Sequence, residues 1–182
     1  MDGSDYPSRS NTAENTAIQL DKNDRVKGGA AVGNIRLMVS FDYAITPNIL
    51  LGIRGGYVHN TYPGSAASKP FGPIHLEARG TYLLGQGVDV DGLVPYVFFA
   101  AGASQFDTSV PVSVVLAGAS SNTRDAQAWA IAGPGFVAGG GGLRMTAGRI
   151  AFFGGAKVTG AFGGPIGFLP SLAPEAGMQV GF

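Results

Sequence analysis

Eight residues place a charge or a titratable ring inside stretches that are otherwise apolar: Arg36, Arg54, His75, Glu77, Arg79, Arg144, Lys157 and Glu175. Side chains of these types can pass ions or protons along a polar path. They can also do acid–base chemistry, or neutralise one another in a packed interior. Catalysis has the weakest case. Neither His59 nor His75 belongs to a Ser–His–acid arrangement at a defined spacing, so no catalytic residue is assigned and no enzymatic activity is expected. The stretch "GPGFVAGGGG" has the look of a phosphate-cradling loop. It lacks the Lys–Ser/Thr ending and sits among strand-period residues, where glycines permit close strand approach, bending and twist. Asp89 and Asp91 in "QGVDVDG" are too few for a calcium site. With no cysteine, thiol catalysis, disulfides and thiolate metal sites are absent together. No metal and no cofactor is therefore expected.

The elements that carry the eight residues have a period of two. In "GNIRLMVSFDY", Ile35, Leu37, Val39, Phe41 and Tyr43 share one face, while Arg36, Met38, Ser40 and Asp42 share the other. The scheme recurs in "ILLGIRGGYVHN" and most clearly in "IHLEARGTYLL", where His75, Glu77, Arg79 and Thr81 lie opposite the apolar set. "LVPYVFFAAGASQF" is apolar on both faces, so its facing stays open. "GPGFVAGGGGLRMT", "IAFFGGAKVTGAF" and a closing strand in "APEAGMQVGF" follow. That makes seven strands of about 10 to 14 residues, roughly twice the length usual in soluble domains and long enough to cross a bilayer at a tilt. The short links "TPN" and "AGR" alternate with long or polar ones at 62–73, 107–131 and 161–171. Within 107–131, "VPVSVVL" reads as a strand extension or a hairpin. Residues 1–26 are polar and read as an external loop, with "TAIQL" at most a short strand; residues 27–182 form the strand domain.

Charge separates the remaining classes. Charged residues make up 13 % of the 182, about half the usual share, and the net charge is zero. No nucleic-acid footprint is expected. The apolar face could point inward, as in a soluble barrel, or outward to lipid. Three features favour outward. The polar face is made of small residues with few charges, those charges lie near strand centres, and the apolar face ends in the aromatics Tyr43, Tyr57, Tyr82 and Tyr96, as interfacial girdles do.

The alternating strands, the short and long connections and the terminal "MQVGF" resemble the OmpA-like transmembrane β-barrels of Gram-negative bacteria. That resemblance implies an all-β, antiparallel, up-and-down transmembrane barrel of eight strands. About seven are present here, so the first strand is expected upstream of Met1 or from another chain. It also implies that Ala176, Met178, Val180 and Phe182 form the signal read by the barrel assembly machinery. The implied surroundings are the lipid bilayer of an outer membrane, with strand pairing to another chain through the open edges. The expected role is non-enzymatic: membrane anchor, structural component or surface-loop binder, since one fold hosts many functions. Alternatives are a narrow, weakly anion-preferring channel lined by Arg36, Arg54, Arg79 and Lys157, a lipid-modifying barrel, and a soluble lipid-binding β-barrel. In an eight-stranded interior, which side chains fill, the eight polar residues read first as a structural network.

Overall fold

The computed structural model describes residues 10–12, 34–59, 73–85, 87–115, 123–163 and 167–181. Ten strands are present among them: β1 (Ser10–Thr12), β2 (Ile35–Thr46), β3 (Ile49–His59), β4 (Ile74–Leu83), β5 (Gly92–Ser104), β6 (Phe106–Val115), β7 (Thr123–Ala132), β8 (Gly135–Ala147), β9 (Ile150–Phe162) and β10 (Phe168–Val180). Seven form one antiparallel, up-and-down sheet in the order β10-β9-β8-β5-β4-β3-β2, curled into a half-barrel. Strands β1, β7 and β6 make a smaller sheet.

Much of two long connections proves to be strand; of the third, expected at 62–73, residues 62–72 lie outside the described residues. The β5/β8 ladder ends at Ala103↔Gly135, and the β6/β7 ladder resumes at Phe106↔Ala132. The two ladders are therefore successive parts of one ribbon, so 107–115 and 123–131 are strand, in line with the hairpin reading of "VPVSVVL". Similarly, β10 begins at Phe168, so the link expected over 161–171 shrinks to 163–167. Of the polar segment 1–26, Ser10–Thr12 is a short strand on β7; "TAIQL" lies outside the described residues.

Local chemistry fixes the other end of the sheet. The Thr46 hydroxyl accepts the N–H groups of Asn48 and Ile49, closing the Pro47–Asn48 turn. The Asn48 amide then donates to the carbonyls of Leu83 and Gly85, tying that turn to the β4–β5 connection. Gly148 adopts φ +58°, the left-handed region that glycine enters freely, and its N–H donates to Asp91 Oδ1 at 2.7 Å. One of the two turn carboxylates is thus a backbone cap.

The two faces of the curled sheet are unlike. Outward stand Leu37, Val39 (81 % exposed), Phe41, Ile53, Phe99, Val158 and Leu172 (73 %). Inward lie Arg54, Val58, His75 (1 %), Glu77 (3 %), Arg79, Leu83, Tyr96, Phe98, Phe136 and Lys157. Alternation decides this, because on each strand every second residue belongs to the same face. β5, whose facing was open, turns Val94, Tyr96, Phe98 and Ala100 inward and Leu93, Val97 and Phe99 outward. Tyr43, Tyr57 and Tyr82 are exposed on the outer face, as expected. Tyr96 is not: its ring is buried inside, because its register with the inward Leu83 commits it to the interior set. On β10, Met178 and Val180 are exposed on the outer face with Ala176; Phe182 lies outside the described residues. None of the described elements is a helix long and apolar enough to cross a membrane.

Candidate functional site

The eight polar residues picked out by type all come from inward positions of β2, β3, β4, β8, β9 and β10, and the curl of the sheet brings most of them into two clusters. In the first, Glu77 on β4 pairs with Lys157 on β9, 80 residues later. The same carboxylate oxygen lies 3.2 Å from His75 Nε2. The His75 ring stacks on Phe136, with centroids 5.0 Å apart.

In the second cluster, Glu175 on β10 faces β3, β4 and β5. Arg79 Nη1 donates to both of its oxygens, at 2.9 and 3.1 Å. Arg54 Nη1 stands 3.8 Å away, and the Tyr96 hydroxyl donates at 3.4 Å. Such shared, buried pairing is the form in which charges persist in an interior.

Arg144 departs from this scheme. Its Nη1 donates to the Thr146 hydroxyl at 2.7 Å and its Nε to Gln179 at 3.1 Å. Gln179 in turn donates to Asp42 Oδ2 at 3.2 Å, and Ser40 donates to the same oxygen at 3.0 Å. Arg36 has no carboxylate within ion-pair distance among the described residues. It lies 4.3 Å over the Phe106 ring, and its Nε is buried without a hydrogen-bond partner. His59 is exposed at the end of β3.

Aromatic rings form the rest of the interior, and residue type alone did not single them out. Arg79 sits 3.4 Å over Phe98, Lys157 5.3 Å over Phe136, and Arg54 5.6 Å over Phe153, within the range of cation–π attraction. The glycine run of β8 makes room for them. A Cβ on Gly140 would meet the Phe98 ring and the Ala156 carbonyl, and one on Gly142 would meet the Gly154 carbonyl. The "GPGFVAGGGG" stretch therefore spaces a packed wall. Gln179, Asp42 and Phe153 also belong to the site; their one sequence signal is their place on the inward parity of β10, β2 and β9.

Chemically the arrangement pairs charges and fills space. The void among Arg54, Arg79, Thr81, Tyr96, Arg144 and Gln179 is about 20 Å³, room for about one water molecule. A far larger hollow, about 550 Å³, opens on the outer wall between Phe41, Leu51, Ala78, Gly80, Phe99 and Ala101. His75 and Glu77 form an acid–base couple, and among the described residues no hydroxyl lies at hydrogen-bond distance from the ring, whose Nδ1 is buried without a partner. Among the described residues, no three His, Asp or Glu side chains gather to hold a metal ion.

No protein-family model matches the chain, and no curated protein matches it. Among solved structures, it is similar to the N-terminal β-barrel domain of Pseudomonas aeruginosa OprF, at 19 % identity over 82 % of this chain and 92 % of that one, with a TM-score of 0.43. The superposition is loose, and the fold described above stands on the register of its own strands.

Proposed function

We propose that the chain is an outer-membrane β-barrel protein with a non-enzymatic role, as membrane anchor, structural component or platform for a surface binding element. One observation carries the reading: the strand charges lie inside and most are paired, while the outside is an apolar wall including Leu37, Val39, Phe41, Ile53, Phe99 and Leu172. Soluble monomers rarely expose contiguous apolar patches beyond a few hundred Å². In a hydrocarbon solvent the same distribution is the favourable one, with alternate residues facing lipid and interior. The soluble lipid-binding alternative needs an apolar interior, which the Glu77–Lys157 and Arg79–Glu175 pairs oppose. The barrel assembly machinery is the partner this reading implies, through the outward Ala176, Met178 and Val180.

A second reading has one feature in its favour. Five interior cations, Arg36, Arg54, Arg79, Arg144 and Lys157, face three carboxylates, Asp42, Glu77 and Glu175. A leak along that path would weakly prefer anions. The side chains that fill it count against steady conduction, and planar-bilayer recordings without discrete conductance would remove it.

Expression followed by membrane fractionation and detergent folding tests the main proposal. The expected result is recovery with outer membranes and a gel mobility that changes on boiling. Recovery as a β-rich protein soluble without detergent would overturn it. Loss of a lipid turnover on His75→Ala would overturn the non-enzymatic part.

A further inference from the structure

Charge around the second cluster does not balance. Three guanidinium groups, those of Arg54, Arg79 and Arg144, lie with two carboxylates, Glu175 and Asp42. Among the described residues one cation is left over, and beside it is the void of about 20 Å³. We propose that this void is a binding site for one small monovalent anion of the size of chloride, held by Arg54, Arg79 and Arg144. The site lies in the interior, so it exists whether the outer face meets lipid or water. Holding an ion is also a different function from passing one.

The wall of the void is rich in donors. The three guanidinium groups, the hydroxyls of Thr81 and Tyr96 and the Gln179 amide line it, and among the described residues no carboxylate does. A guanidinium has donors and no acceptor. The neutral acceptors on this wall are already engaged: the Thr81 hydroxyl takes Arg79 Nε at 3.2 Å, and Gln179 Oε1 takes Arg144 Nε at 3.1 Å. A water molecule has to donate as well as accept, and it would find few acceptors here. An anion only accepts. Arg54 supplies an unmet demand for it: the side chain is 6 % exposed, and its Nε is buried without a hydrogen-bond partner.

The two carboxylates are spent elsewhere. Glu175 accepts both bonds from Arg79 Nη1 and stands 3.8 Å from Arg54, so one acid serves two cations. Asp42 is held by Ser40 and Gln179. Arg144 is left with two neutral partners, Thr146 and Gln179. An interior cation without a counter-charge is costly, and one anion in the void brings the cluster to neutrality. Rings keep two of the cations at the wall, with Arg79 3.4 Å over Phe98 and Arg54 5.6 Å over Phe153. Size then selects among anions. Room for about one water molecule suits a halide and excludes sulfate, phosphate and organic acids.

The test is a urea titration of the full chain folded in micelles, in sodium chloride and in sodium gluconate at one ionic strength. Circular dichroism before the titration reports on the membrane reading separately; a chain that proves soluble without detergent is titrated in buffer in the same way. The unfolding midpoint should rise with the logarithm of chloride concentration at a slope of one ion per chain, as for a ligand that binds only the folded state. Bromide should act alike and gluconate should not. The chloride NMR line should broaden in the presence of the folded chain, and Arg144→Gln should lose that excess width. Thr81→Asp, which puts a carboxylate at the wall, should lose the chloride dependence too, and it carries the test if Arg144→Gln does not fold. Equal midpoints in chloride and gluconate overturn the anion site and leave a void for water. A chloride dependence that survives both substitutions overturns its placement at this wall.

Discussion

The interior has two walls built on different principles. Along β3, β4, β9 and β10 it is polar: Arg54, His75, Glu77, Arg79, Lys157 and Glu175 hold one another by charge. Along β5 and β8 it is a wall of Tyr96, Phe98, Ala100, Phe136 and Ala138, shaped by glycines and held by fit. The two walls depend on each other, because cations of the first lie on rings of the second, Arg79 on Phe98 and Lys157 on Phe136. Charge pairing chooses partners over long sequence separations; ring packing sets how closely the walls approach. Breaking one principle at a time should therefore give different signatures.

The largest effect is expected from the polar wall. Glu77→Gln leaves Lys157 buried without its counter-charge and should cost about 4 kcal/mol, the usual penalty for breaking one side of a buried pair. Denaturant titration of the micelle-folded chain measures it. Pairing the change with Lys157→Met should return most of the loss, and failure to recover would show that Glu77 acts through His75 instead. Next comes the ring wall: Phe136→Ala empties a fully buried site and should cost about 3–4 kcal/mol in the same titration, with no rescue by any charge change. An arginine at the outward Ile53 should cost about 3 kcal/mol in a bilayer; a negligible cost would argue that this face does not meet lipid. Gly142→Val forces a side chain against the Gly154 carbonyl and should cost about 2 kcal/mol by overpacking. At the foot of the scale, Phe99→Leu on the outer face should change stability by less than about 0.5 kcal/mol, since lipid tails solvate either side chain.

Much of the polar wall was legible in the sequence, because a charge recurring at every second place in an apolar strand has a single face to occupy. Arg54, Glu77, Arg79, Lys157 and Glu175 were found that way. The ring wall was not. β5 is apolar on both faces, so no alternation marks Tyr96 and Phe98 as inward, and Tyr96 was assigned to the outer girdle on aromatic type alone. Partners were equally hidden: Arg79 and Glu175 are 96 residues apart, and only the curl of the sheet joins them. The ribbon of β6 and β7 is legible in part: "VPVSVVL" reads as a strand extension or a hairpin, while the extent of both strands follows only from their continuity with β5 and β8.

The position of Glu175 has a consequence for the order of assembly. Its partners Arg54, Arg79 and Tyr96 belong to β3, β4 and β5, while Glu175 itself arrives with β10, the last strand of the sheet. Until that strand is in place, two buried guanidinium groups have no carboxylate of this cluster to face. A partly assembled sheet is thus electrically incomplete as well as unpaired, and the closing contact carries a long loop-closure entropy. Folding of the sheet should accordingly be cooperative, with the last strand also supplying the carboxylate that Arg54 and Arg79 share.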